Sequence, residues 1–387
     1  MVCLRKEIWL FLLLLGIFPR TGWSVAGATP ACRTVAVDFR SLFGPDDLAG
    51  ASLTDGVATS LRYLAKLPPA DTYKLCDRQV SVADLQATLS ELGRLWEATG
   101  GGKEFIRKAA DKFDLLTVKV ADKPKKVMVT GYFEPLLEGA LELDEQFAYP
   151  LYMTPADLIL QDGEIGRLED GRLVPYWTRA EIEEQKLLAG QELVYLNDPV
   201  EAFILQIQGS GRVRLRDGSV RRVQYAAKNG RPYTSIGKLL AERGVMRLSK
   251  VTLPAISAYL AAHPEEIKDV LHHNESYVFF RWGASEQCGP LGCLGEPLIP
   301  NRSVALDREC FPPGIPALLV GRKPKFNTKD KITGSIKMQR LVFNHDTGSA
   351  IRGPGRLDLF LGYGARARSG AGVMKGQARL YFLLKKK

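Results

Sequence analysis

Beyond its first twenty residues the chain has no run approaching the roughly 20 consecutive apolar residues that a membrane-spanning helix requires. That excludes a bundle of spanning helices. Histidine is scarce, with four in 387 residues. The Cys288 to Cys293 spacing could suggest zinc, but no second paired motif accompanies it, so metal is the minor alternative and no cofactor is expected. No internal repeat is present. Acidic residues are in deficit, 43 against 53 Lys and Arg, and the formal net charge of +10 attracts a polyanion.

What is present begins with Arg5 and Lys6, an apolar run from Ile8 to Phe18, and a small-residue site at Ala26-Gly27-Ala28. This is the pattern of a secretory signal peptide over residues 1–28, so the mature protein is expected outside the cytoplasm. There the candidate polyanions are cell-wall polymer and anionic lipid, with nucleic acid well behind. A lipid-anchored protein would carry a cysteine directly after the apolar core, and Cys32 lies behind Thr29-Pro30-Ala31. Removal of the leader takes Cys3 and leaves Cys32, Cys76, Cys288, Cys293 and Cys310. An oxidising compartment permits disulfides, but an odd number leaves one thiol free or pairing between chains. The expected bridges are Cys32 with Cys76 and one among the last three.

The remaining length suffices for two domains. Residues 33–126 read mostly helical, with Leu53, Val57, Leu61 and Leu64 on a helical period. Ser81 with Asp84 resembles a capping box opening a second helix, whose stripe is Leu85, Leu89, Leu92 and Trp96, and a third helix spans Phe105 to Phe113. From Lys123 the texture changes. Val127 to Glu134 is a strand stopped by Pro135. Tyr149-Pro150-Leu151-Tyr152 and Pro175-Tyr176-Trp177 supply aromatics suited either to stacking on sugar rings or to half-buried packing. Leu205 and Ile207 alternate with Gln206 and Gln208, which predicts a strand whose amides could meet hydroxyl and N-acetyl groups. Residues 212–216 and 219–225 pair as a hairpin across Asp217-Gly218, their arginines forming a solvated face. Lys323 to Lys337 reads as a basic exposed loop, and Gln377 to Leu384 as a closing strand.

Chemistry is expected in Asn344 to Tyr363, where Asp346 and Asp358 flank a crossover containing Gly348, Gly353 and Gly355. Two acids on adjoining strands can meet. Beside the apolar Leu357, Leu359 and Phe360, a carboxyl would keep its proton near neutral pH. The simpler alternative is a surface loop with two solvated acids. Asp307, ending another short apolar run, is a third candidate, alternatively a turn-stabilising aspartate. Asp346-Thr347-Gly348-Ser349 also spells the aspartic-peptidase signature, without a second copy and preceded by polar Asn344-His345 where that motif has an apolar strand.

Taken together, Gly131-Tyr132-Phe133-Glu134-Pro135, Gln206-Ile207-Gln208-Gly209-Ser210-Gly211, Ala227-Lys228-Asn229-Gly230 and the late aspartates resemble the MltA family of lytic murein transglycosylases. The resemblance runs from about residue 40 to 385. It implies a mainly β fold with N-terminal helices: a double-psi β-barrel from residues 33–131 and 284–387, with the 3D region at about 300–385, and a smaller β-barrel inserted at 132–283. A groove would lie between them. It also implies cleavage of peptidoglycan glycan strands without a cofactor or metal, by a monomeric enzyme associated peripherally with the outer membrane or cell-wall machinery. Asp358 matches the family's catalytic acid, with Asp346 and Asp307 in support, and substrate contacts fall to Tyr132, Glu134, Gln206, Gln208 and Lys228. The rival class is a wall-polysaccharide binder that does not cut.

Overall fold

The computed structural model describes residues 32–387 except 43, 121–122, 125, 284–288 and 349. The leader and Cys288 therefore lie outside the described residues. Six strands close into a barrel: β1 (Val127–Glu134), β2 (Ser303–Ala305), β3 (Pro316–Phe326), β4 (Ile332–Asp346), β5 (Arg356–Tyr363) and β6 (Lys375–Lys385). Around the barrel the order is β6, β3, β4, β2, β5, β1 and back to β6. The β4–β2 and β5–β1 pairs are parallel and the rest antiparallel. A parallel pair cannot be joined by a tight turn, so the chain must cross over between such strands. Residues 347–355 instead join β4 to β5, which both pair with β2, so this connection passes over β2. Of the three glycines expected to ease it, only Gly353 takes a positive φ, 71°.

Among the described residues the longer helices before the barrel share its core: α1 (Leu53–Leu64), α2 (Val82–Thr99) and α3 (Gly102–Lys112). The capping box of α2 is formed, with Asp84 N donating to Ser81 Oγ at 3.0 Å and Ser81 N to Asp84 Oδ2 at 3.4 Å. Helix α1 sits on the barrel through Gly56, where a Cβ would come within 2.3 Å of the Phe343 ring. Strands in this region were not anticipated, among them Thr72–Leu75 paired with Arg78–Ser81. Cys32–Val37 pairs with Phe113–Val120, which in turn extends the barrel sheet beyond β6. Cys32 is bonded to Cys76. Cys293 and Cys310 are free, so the second bridge expected among the last three cysteines is not formed.

After β1 the chain leaves the barrel and builds a second, six-stranded sheet before returning at β2. Its hairpin pairs Ser210–Arg214 with Val220–Lys228, as the turn residues indicated. The segment read as an alternating strand is instead a helix, α4 (Pro199–Gln208). Alternation over four residues fits either period, and the ends decide. Asp198 accepts from Val200 N at 2.7 Å and Glu201 N at 3.1 Å, Pro199 occupies the first turn, and Gly209 closes the helix at φ 76°. The basic segment 323–337 is likewise not a loop. It is the outer half of the β3–β4 ribbon, paired up to Phe326 with Ile332.

Candidate active site

The short strand β2 has β4 on one side and β5 on the other, and Ala305 is in register with both Asp346 and Asp358. The two acids therefore border one strand rather than sitting on adjoining strands. Asp358 points from β5 with its side chain 25% exposed, and its Oδ1 is buried without a hydrogen-bond partner. Arg356 lies two residues earlier on the same face, its Nη2 3.8 Å from that oxygen, too far for a hydrogen bond. Withdrawal from water pushes the Asp358 carboxyl up, the Arg356 guanidinium pulls it down, and the charge of Asp346 pushes it up again. Desolvation wins, because the cation acts only through space, and the carboxyl is raised to about 6.

Asp346 is held where Asp358 is not. Tyr132 Oη donates to its Oδ2 at 2.8 Å, while Thr347 N and Cys293 N donate to Oδ1 at 2.9 and 3.1 Å. Burial raises its carboxyl, and these bonds oppose the rise without cancelling it. Tyr132, whose ring centroid lies 5.2 Å from that of Phe360, is kept protonated by burial and then by the neighbouring Asp346 charge. Behind Asp346, fully buried His345 bridges Ser60 Oγ at 2.9 Å on α1 and Ser303 Oγ at 2.8 Å on β2. Burial drives its imidazole down to about 3, so it is a neutral strut. Arg308 Nη2 donates to the Cys293 carbonyl at 2.8 Å and steadies the loop that carries one of the Asp346 donors.

Asp307 is buried and its carboxylate is spent on backbone, accepting from Glu309 N at 3.0 Å and from Gly353 N. It pins the crossover. Of the residues expected at the substrate, Tyr132 belongs to this cluster. Glu134 does not face a groove: it is fully buried between Arg212 Nε, at 2.9 Å, and Arg222 Nε. The same contacts take two arginines from the face expected to be solvated, because a buried carboxylate requires paired cations. Gln206 is also internal, accepting from Arg179 Nη2 at 2.6 Å. Gln208 Oε1 receives Phe133 N at 3.1 Å and so ties α4 to β1. Lys228 ends its strand opposite Val278, in the second sheet rather than in the barrel that carries the aspartates. Arg356, His345 and Cys293 were missed. Strand alternation would have put Arg356 beside Asp358, but nothing local marks the other two.

Residues 128–281 match the family model of the MltA specific insert domain, and residues 302–384 match that of the 3D domain. The membrane-bound lytic murein transglycosylase A of Vibrio cholerae is 36% identical over 265 residues, 68% of this chain and 66% of that protein. That of Escherichia coli K12 is 32% identical over 291 residues, 74% of this chain and 73% of that protein. The chain belongs to the MltA family. The crystal structure of E. coli MltA with bound chitohexaose superposes with a TM-score of 0.69 at 27% identity, covering 94% of this chain and 96% of that one. The MltA insert match begins inside β1 and ends in the strand Val278–Trp282, so it takes in all of the second sheet but Trp282. The 3D match carries all three aspartates, Asp307, Asp346 and Asp358.

Proposed function

We propose that this MltA-family protein is a lytic murein transglycosylase that cuts the β-1,4 bond between N-acetylmuramic acid and N-acetylglucosamine in peptidoglycan. The observation that carries the chemistry is a lone, unbonded carboxyl poised at about 6 beside a second carboxyl held by three donors. Asp358 begins protonated and gives its proton to the glycosidic oxygen as the bond to the muramyl anomeric carbon breaks, with the electron pair leaving on that oxygen. The muramyl O6 hydroxyl then bonds to the anomeric carbon and surrenders its proton to the Asp358 carboxylate. The product carries a 1,6-anhydro end, no water is consumed, and the acid is restored. Hydrolysis would need a second carboxylate placed to activate water. Asp346 is the positioning group, raising Asp358 through like charge and accepting a hydrogen bond from Tyr132. Asp307 acts through the crossover it pins.

The closed six-stranded barrel with its two parallel pairs supports a double-psi barrel formed by residues 33–131 and 284–387, with 132–283 as the inserted domain and the glycan between them. Among the described residues no helix is long and apolar enough to cross a membrane. Cys32 has its sulfur committed to Cys76 and offers no thiol for acylation. The expected site of action is the exported wall polymer, met as a monomer. Digestion of purified sacculi tests the proposal: the wild type releases anhydro-muropeptides, and Asp358→Asn releases none while still sedimenting with sacculi. Reducing-end products would indicate a hydrolase, and sedimentation without release by the wild type would indicate a binder.

A further inference from the structure

A second group at this centre has no assigned task. Arg356 shares its strand face with Asp358, and it is not engaged as a cation in such a place usually is. Its Nε is buried without a hydrogen-bond partner. Its Nη1 meets only the Met128 sulfur at 3.4 Å, and its Nη2 reaches Thr130 Oγ1 at 3.5 Å, the outer limit of a hydrogen bond. A guanidinium has five donors in a planar fork that fits a carboxylate with two parallel bonds. Here the carboxylate at hand, Asp358, stands at 3.8 Å and accepts none of them. The side chain is 33% exposed, so a ligand can approach it from solvent.

We propose that Arg356 is a specificity residue that receives a carboxylate carried by the muramyl unit being cleaved. This inference rests on the transglycosylase assignment above. A muramyl residue bears a lactyl acid on its ring. That acid is free in glycan stripped of peptides and becomes a neutral amide where a peptide is attached. The fork of Arg356 therefore favours peptide-free strands over peptide-bearing ones. A glucosamine oligomer offers it no anion at all. Capture of the substrate carboxylate also offsets the Arg356 charge that holds Asp358 toward its ionised form. Binding of the free-acid sugar therefore favours the protonated form of Asp358. The other groups around Asp358 leave this balance in place: Asp346 on β4 and Tyr132 on β1 are bonded to each other, Cys293 is a neutral thiol raised to about 11, and Arg308 is turned to the Cys293 carbonyl.

The test compares kcat/KM on peptide-free glycan with its lactyl acids intact and on the same glycan after those acids are converted to amides. Anhydro ends are counted for wild type, Arg356→Gln and Arg356→Lys. The wild type is expected to prefer the free acid by about tenfold, the size of one charge-assisted contact. Arg356→Gln should bring that ratio to about one, and Arg356→Lys should restore part of it. The Gln variant should also shift the descending limb of kcat/KM on the amidated glycan to higher pH, since its Asp358 has lost the cation. A wild type indifferent to amidation, or an Arg356→Gln variant that keeps the full preference, overturns the proposal. A wild type that yields no anhydro ends on either glycan refutes the transglycosylase assignment instead.

Discussion

At neutral pH the folded chain holds Asp358 partly against its preference, since a carboxyl raised to about 6 is mostly ionised there in a site that disfavours the charge. The folded value lies above that of the unfolded chain, so this group contributes stability as pH falls and withdraws it as pH rises through about 6. Asp358→Asn removes the burden. Urea denaturation at pH 7 should find the variant inactive yet more stable by about 1–2 kcal/mol, a figure reduced for its partial exposure. Because the protonated acid starts the reaction, kcat/KM should fall tenfold per pH unit above about 6, with the limb moved to lower pH in Asp346→Asn. A limb that stays in place when Asp346 is neutralised would remove that residue from the charge balance. Tyr132→Phe deletes one bond to Asp346 and should cost about 1–2 kcal/mol of activation, read as a five- to thirtyfold loss of kcat. At this scale the aspartates stood out beside apolar strand residues, but composition alone favoured a solvated loop, and their assignment to catalysis came from the resemblance to the MltA family. Their surroundings were not. Glu134 resembled a groove residue until Arg212 and Arg222, far along the chain, were seen to close over it.

Elements were readable where both their period and their ends were local. The Ser81 capping box announced α2, and the helical spacing of leucines announced α1. Helix α4 failed on period alone, and its caps would have corrected the assignment. Asp198→Ala should therefore destabilise the protein by about 1 kcal/mol, as judged by the midpoint of urea unfolding, because two backbone donors of the first turn lose their acceptor. An unchanged midpoint would mean that packing against its buried face, Phe203, Ile204 and Leu205, holds the helix without the cap. The β3–β4 ribbon was missed for the opposite reason. Its lysine-rich outer half has the composition of a loop, and only pairing to a neighbour makes it a strand.

On the scale of the whole molecule, two devices hold the N-terminal segment, one joining α1 to the barrel and the other closing a loop within the segment. The first is His345, buried as a neutral ring between Ser60 and Ser303. Its folded value of about 3 lies below that of an unfolded histidine near 6.5, so the stability it carries is complete above about pH 6.5 and drains away on acidification toward 3. The raised carboxyls of Asp346 and Asp358 act in the opposite sense, so the informative quantity is the difference between wild type and His345→Gln. That difference should shrink by up to about 1.4 kcal/mol per pH unit between pH 6 and 4, the single-proton slope. A difference constant with pH would show that the ring is not held neutral. The second device is the Cys32–Cys76 bond, closing a loop of sequence separation 44. In the chain-entropy view such a loop is worth roughly 4 kcal/mol, so a Cys32→Ser, Cys76→Ser double variant should lose stability of that order while retaining activity at low temperature. The sequence by itself determined the family, through motifs kept in order along the chain, and the helices whose period and caps are local, and it anticipated the Cys32–Cys76 bond from the few cysteines of the mature chain. Only the tertiary structure decided which polar groups are buried as struts and which remain free to react. That choice depends on desolvation and on partners hundreds of residues away, as when Ser60 meets His345 across a separation of 285 residues and so backs the strand that carries Asp346.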